Sequence, residues 1–180
     1  MEKIMHRQTG LTLADLVITA GLLTILSTTA VPTFRQLLLD ARMTAHVNGL
    51  VHAVHLAKQT AHARLAEVVL CPSADGRQCV DDGQWQNGWL LFVNENRDDP
   101  PRVTVGEATL AAGSIFDRGQ IRANRRYFFF RAATTRSTNG TFTFCDDRGA
   151  DHARALIVSY TGRPRTSRRA PGGKSLICQT

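Results

Sequence analysis

The sequence predicts an α+β fold, with one long N-terminal helix followed by an antiparallel β domain. Two patterns carry this expectation. From Leu11 to about Ala66 the residues fit a helix, apolar on all sides at first and then apolar along one stripe. Beyond Glu67 the chain changes to short runs rich in β-branched and aromatic residues, punctuated by Gly, Pro, Asp and Asn. At 180 residues, 43% hydrophobic and 21% charged, it can build one packed domain plus an appendage, which argues against global disorder.

The first ten residues, MEKIMHRQTG, are made basic by Lys3 and Arg7. The run from Leu11 to Val31 follows, with Asp15 its single charge. It is long enough to cross ~30 Å of hydrocarbon as a helix. The basic side belongs in the cytoplasm and the rest of the chain outside it. A secretory signal would have a shorter apolar run with small residues after it at the cleavage site. Here the small residue suited to cleavage, Gly10, precedes the apolar run, so cutting there removes a leader and keeps an anchor.

Past Pro32 the helical pattern continues, with Val47, Leu50, Val51, Val54, Ala61 and Leu65 on one stripe. Asn48, His52, His55, Gln59 and His62 fall on the opposite stripe, so this half reads as an amphipathic helix laid on a domain. The expected strands are Glu67–Cys71, Trp89–Glu95, Arg102–Val105, Thr109–Leu110, Gln120–Arg122, Tyr127–Arg131, Gly140–Cys145, Ala155–Tyr160 and Leu176–Cys178. Residues 94–101 read as a turn or loop.

The four cysteines, Cys71, Cys79, Cys145 and Cys178, show no CxxC spacing, which removes support for zinc ribbons and thioredoxin-like sites. In an exported chain they read as two disulfides, with three pairings possible. We favour Cys71–Cys79, which closes a short loop, and Cys145–Cys178, which ties down the C-terminus.

The junction Gly10-Leu11-Thr12-Leu13-Ala14-Asp15-Leu16-Val17 resembles the leader junction of type IV pilins, usually G-F-T-L-x-E-L. Leu11 stands for the usual Phe and Asp15 for the usual Glu. The resemblance implies cleavage after Gly10 by a prepilin peptidase and methylation of the new amine at Leu11. It also implies an assembly role for Asp15, as partner of the N-terminal amine of a neighbouring subunit; a carboxylate in an apolar helix needs such a partner. Pro32 fits the family as well. Cys71-Pro72-Ser73, Asp75-Gly76, Cys79, Trp85, Gly88-Trp89 and Phe92, with Phe144-Cys145, Ala153–Ser159 and Gly162-Arg163, resemble the minor-pilin and pseudopilin group called FimT/GspH. The fold implied is the type IV pilin fold. Its expected parts are a leader at 1–10, a transmembrane and assembly helix at 11–34, an amphipathic helix at 35–66 and a periplasmic or extracellular β-rich head at 67–180. The expected location is the bacterial inner membrane, single-pass with the head in the periplasm, and then a pilus or pseudopilus fibre.

The formal net charge of +7 is unevenly placed. The leader holds +1, so +6 remains, and residues 152–180 supply all of it through Arg154, Arg163, Arg165, Arg168, Arg169 and Lys174, with no acidic residue among them. Such a stretch can neutralise phosphates and release counterions. In the FimT branch a Gly-Arg-x-Arg motif is associated with DNA binding during DNA uptake; Gly162-Arg163-Pro164-Arg165 matches it. The resemblance therefore implies DNA binding at Arg163 and Arg165, and charge and nearness extend this to Arg168, Arg169 and Lys174. Only Tyr160 offers an aromatic face nearby, so binding should be independent of sequence. The alternative is a solvated basic loop on a structural pseudopilin that binds other pilin subunits alone.

No other constellation points to chemistry. His46, His52, His55 and His62 lack the carboxylate or cysteine that would complete a metal site. Asp81-Asp82 and Asp98-Asp99 lack calcium-loop spacing, and Asp146-Asp147 reads as a turn. Trp85 and Trp89 read as packing residues. No nucleophile elbow or P-loop appears, so neither an enzyme nor a cofactor is expected.

Overall fold

The computed structural model describes residues 12–132 and 137–178. The leader and the junction residues Gly10 and Leu11 lie outside them. The chain forms two units, Met1–Ala41 and Arg42–Thr180, described here in turn. One helix, α1 (Leu13–Arg64), contributes to both.

In the first unit, α1 presents apolar side chains on every side, including Leu16, Ile18, Leu22, Ile25 and Phe34, all exposed. It is long and apolar enough to cross a membrane. Its hydroxyls are satisfied within the helix: Thr19, Thr24 and Thr33 each donate to the carbonyl four residues back, and Thr28 and Thr29 to the one three back. The helix continues through Pro32, which removes the donor that would otherwise reach the Thr28 carbonyl.

In the second unit, α1 buries Met43, Val47, Leu50, Val54, Ala57 and Ala61, spaced alternately by four and three residues, together with Ala53. Asn48, His52, His55, Gln59 and His62 are exposed, as the periodicity predicts. Leu65 departs from the expectation. The helix ends at Arg64, Leu65 takes a left-handed φ of 51°, and its side chain turns out to solvent.

Among the described residues the β domain has two antiparallel four-stranded sheets. The first, in the order β3-β2-β1-β5, uses β1 (Glu67–Pro72), β2 (Trp89–Asn94), β3 (Thr109–Gly113) and β5 (Phe128–Phe130). The second, in the order β4-β6-β7-β8, uses β4 (Gly119–Ala123), β6 (Gly140–Asp146), β7 (Arg154–Val158) and β8 (Pro164–Ser167). The inner faces of both sheets and the apolar stripe of α1 share one core. At its centre Phe128 stacks on Phe142 at 4.5 Å, and Trp85 meets Phe142 edge-on at 4.8 Å. The Trp89 indole lies against Gly113 of the neighbouring strand, where a Cβ would fall 2.0 Å from the ring nitrogen. Both tryptophans are therefore packing residues.

Strands β1 and β2 are buried along their whole length. Their second face, with Val69, Cys71, Leu90 and Phe92, is covered by Cys79 and Val103 from the loops. This explains why residues 102–105, expected as a strand, form a loop instead. The Glu107 carboxylate accepts the backbone N–H groups of Glu95 and Thr104, and Gln78 donates to the Val103 carbonyl, so side chains replace a ladder. Residues 176–178, also expected as a strand, are an irregular segment held by buried Leu176 and by Cys178.

Both favoured disulfides are formed, Cys71–Cys79 and Cys145–Cys178, with Cα atoms 5.6 and 5.9 Å apart. The first closes a turn in which Asp75 accepts the backbone N–H groups of Arg77 and Gln78, at 2.8 and 3.0 Å. These bonds hold its carboxyl below the usual carboxylate range.

Candidate functional site

The basic tail is an ordered, tied-down segment. Residues 159–163 connect β7 to β8, which pair in register Val158↔Pro164, Ile157↔Arg165, Leu156↔Thr166 and Ala155↔Ser167. The Ser159 N–H donates to the Arg163 carbonyl, and the Arg163 N–H donates back to Ser159 Oγ. Gly162 sits buried at this corner with φ +67°, and a Cβ there would lie 2.8 Å from Ser137 Oγ. Glycine is favoured on both counts. Pro164 opens β8, a position where a missing N–H costs no interior ladder bond. After β8 a short 3₁₀ turn, Pro171–Gly173, is braced by Arg169, whose Nη1 donates to the Gly173 carbonyl. Leu176 then enters a small cluster with Cys145, Ala153 and Ala155, and Cys178 closes onto Cys145.

Arg163, Arg165, Arg168, Arg169 and Lys174 are all exposed. Among the described residues none of them makes a side-chain ion pair, whereas Arg126 pairs with Asp81, Arg131 with Glu67 and Arg148 with Asp146. The five do not share one face. Alternation along β8 puts Arg165 with Ile157 on the side of the Cys145 cluster, whereas Thr166 pairs with core-facing Leu156. Arg168, just past the strand, lines a groove against α1 together with Thr166 and Ser167. The loop expected here is thus a hairpin with an edge strand, and the motif arginines are set by its register.

The groove also contains Arg154, a residue that the tail's charge pattern alone does not single out as a site residue. It is the first residue of β7, on the same face as Leu156 and Val158, and partly buried. Strand alternation in Arg154–Val158 is the signal that would have placed it there.

At the other end of the chain, Asp15 and Thr12 form a reciprocal cap on α1. The Asp15 N–H donates to Thr12 Oγ1 at 3.2 Å, and the Thr12 N–H and hydroxyl donate to the Asp15 carboxylate at 3.1 and 2.8 Å.

Residues 46–162 match the family model described as type II transport protein GspH. The chain belongs to the GspH family. Its fold is that of a type IV minor pilin and a minor pseudopilin of known structure. The family assignment fits the long helix packed on antiparallel sheets, and solved structures share that fold. The type IV minor pilin FimU of Pseudomonas aeruginosa superposes with a TM-score of 0.52 at 18% identity, over 73% of this chain and 93% of that one. The minor pseudopilin EpsH of the Vibrio cholerae type 2 secretion system gives 0.50 at 11% identity, over 73% of this chain and 98% of that one. No curated protein matches the chain in sequence. The GspH match stops at residue 162, one position before Arg163, so the basic tail stands outside what the family model describes.

Proposed function

We propose that this GspH-family chain is a minor type IV pilin that binds extracellular DNA without sequence preference through its basic tail, supporting DNA uptake and pilus assembly. One observation carries the reading. Five exposed cations without side-chain ion pairs among the described residues lie inside a disulfide-closed segment that holds no acidic residue between His152 and Cys178. Closure lowers the ordering cost of binding a polyanion, and guanidinium forks suit phosphate oxygens. The Gly-Arg-Pro-Arg unit fits its turn: Gly162 makes the corner, Arg163 and Arg165 stay exposed, and Pro164 opens the strand.

The rest of the reading follows from the N-terminus. A prepilin peptidase cuts after Gly10 and leaves Leu11 as the new end. The helix holds the subunit in the inner membrane with its head in the periplasm until Asp15 pairs with a neighbouring pilin and the subunit enters the fibre.

DNA binding by the full-length chain in detergent micelles, measured against salt, tests the proposal. With about 3–5 phosphates contacted, the log–log slope is expected near −3 to −5. Arg163→Ala with Arg165→Ala should weaken binding to every sequence alike and flatten the slope by about 2. Absence of binding at low salt, or a double variant that binds as the parent does, would defeat it.

A second reading is favoured by the type II transport description of the matched family and by the pseudopilin neighbour. In it the chain primes a type II secretion pseudopilus or a pilus, binds only other pilins, and uses its tail cations for solubility.

A further inference from the structure

The cleft between α1 and β8 is a second cationic feature, on the side of the edge strand facing away from Arg165. It has a volume of about 420 Å³, within the range of small-ligand sites. Its walls are Thr44 and Asn48 from α1, Arg154 from β7, Thr166 and Ser167 from β8, and Arg168, over a floor of Val47. Among the described residues no carboxylate lines it. Arg154 is partly buried, and its guanidinium has no hydrogen bond or ion pair among the described residues. Two guanidinium groups, hydroxyls and an amide thus share one cleft open to solvent, an arrangement that an anion would complete. Forked N–H donors combined with hydroxyl and amide donors match the several oxygens of a phosphate.

We infer that this cleft seats one backbone phosphate of a bound nucleic acid, gripped by Arg154 and Arg168. The inference rests on the DNA reading and adds a site to it. Arg165 and Arg168 are three residues apart on extended chain, roughly 10 Å, and phosphates along one strand recur every ~3.4 Å of helix axis. A single backbone can therefore cross the edge of β8, touching the hairpin arginines on one side and the cleft on the other. Arg154 then contributes to DNA binding although it lies outside the Gly-Arg-Pro-Arg unit.

The test uses the full-length chain in detergent micelles. Nitrogen-15 spectra of the arginine Nε–H groups, with Arg154 assigned through Arg154→Gln, are followed during titration with inorganic pyrophosphate at low salt. DNA affinity against salt is measured for the parent, Arg154→Gln, Arg154→Lys and the Arg163→Ala/Arg165→Ala pair. A saturable shift of the Arg154 signal, together with a slope flattened by about 1 in Arg154→Gln and retained in Arg154→Lys, is the expected result. If Arg154→Gln fails to fold by circular dichroism, the lysine variant and the titration carry the test: the lysine variant should keep the slope but bind several-fold more weakly, having lost its fork. Unchanged DNA binding by the Arg154 variants, while the Arg163/Arg165 pair weakens it, overturns the cleft and leaves the DNA reading standing. A pyrophosphate shift in a parent that binds no DNA overturns both, since the cleft then takes a smaller anion.

Discussion

Arg165 stands directly opposite Ile157 across the β7–β8 hairpin. Ile157 packs on the Cys145–Cys178 cluster, so this one register position fixes Arg165 on the face away from α1. Sliding the hairpin by a single residue would turn Arg165 toward the helix and Thr166 outward. Display of the motif arginines therefore depends on the corner at Gly162 as much as on their own charge.

Gly162→Ala should expose that dependence. The added methyl meets Ser137 Oγ at a backbone φ that L-residues rarely adopt. We expect a loss of roughly 1–3 kcal/mol in urea unfolding. DNA binding should weaken as well, although no cation has been removed. A variant as stable as the parent would show that the hairpin tolerates a different corner.

The two disulfides should contribute unequally. They close segments with sequence separations of 8 and 33 residues. Loop-closure entropy then assigns roughly 2.5 kcal/mol to Cys71–Cys79 and nearly 4 kcal/mol to Cys145–Cys178. Cys145→Ser/Cys178→Ser should lower the thermal midpoint more than Cys71→Ser/Cys79→Ser, as scanning calorimetry of the two variants would show.

His46 makes the head sensitive to acid. It lies partly buried on α1 with its ring 4.5 Å from that of Phe116, and burial pushes its imidazole below the ordinary value of about 6.5. The folded state favours the neutral ring, so the unfolded state binds the proton more readily. This group then costs no stability above about pH 6.5, and its contribution falls as pH drops from there through its lowered folded value. Urea midpoints measured from pH 7.5 down to 5 should decline less steeply in His46→Gln than in the parent.

Thr12 and Asp15 allow capping to be separated from assembly. Thr12→Ala removes one half of the reciprocal cap and should cost about 1 kcal/mol of helix stability. It should leave fibre incorporation intact, because the carboxylate remains. Asp15→Ala should abolish incorporation and Asp15→Glu should retain it, scored by the amount of subunit in sheared fibres. Equal loss in Thr12→Ala and Asp15→Ala would assign the carboxylate to the cap alone.

Much of the fold was legible because long elements repeat their pattern. Val47, Leu50, Val54 and Ala61 mark the buried stripe of α1, and the structure adds Met43, Ala53 and Ala57 to it. The stripe failed only at Leu65, where the helix had already ended. Strand β8 was not legible. Pro164-Arg165-Thr166-Ser167 contains no large apolar residue, and its place comes from backbone pairing to β7 at an open sheet edge, which composition does not encode. The separation of Arg165 from Arg168, and the presence of Arg154 beside the latter, follow from that strand. Residue types showed how much charge the tail holds, and only the pairing register showed which way it points.

The bond between Cys145 and Cys178 also bears on survival of a backbone cut. Every residue from Asp146 to Ile177 lies within one covalent ring. A protease that nicks the exposed stretch around Arg163–Lys174 would open this ring without releasing a fragment, because both new ends stay attached through sulfur. A chain built in this way can be cut once within its arginine-rich segment and still keep all of its tail.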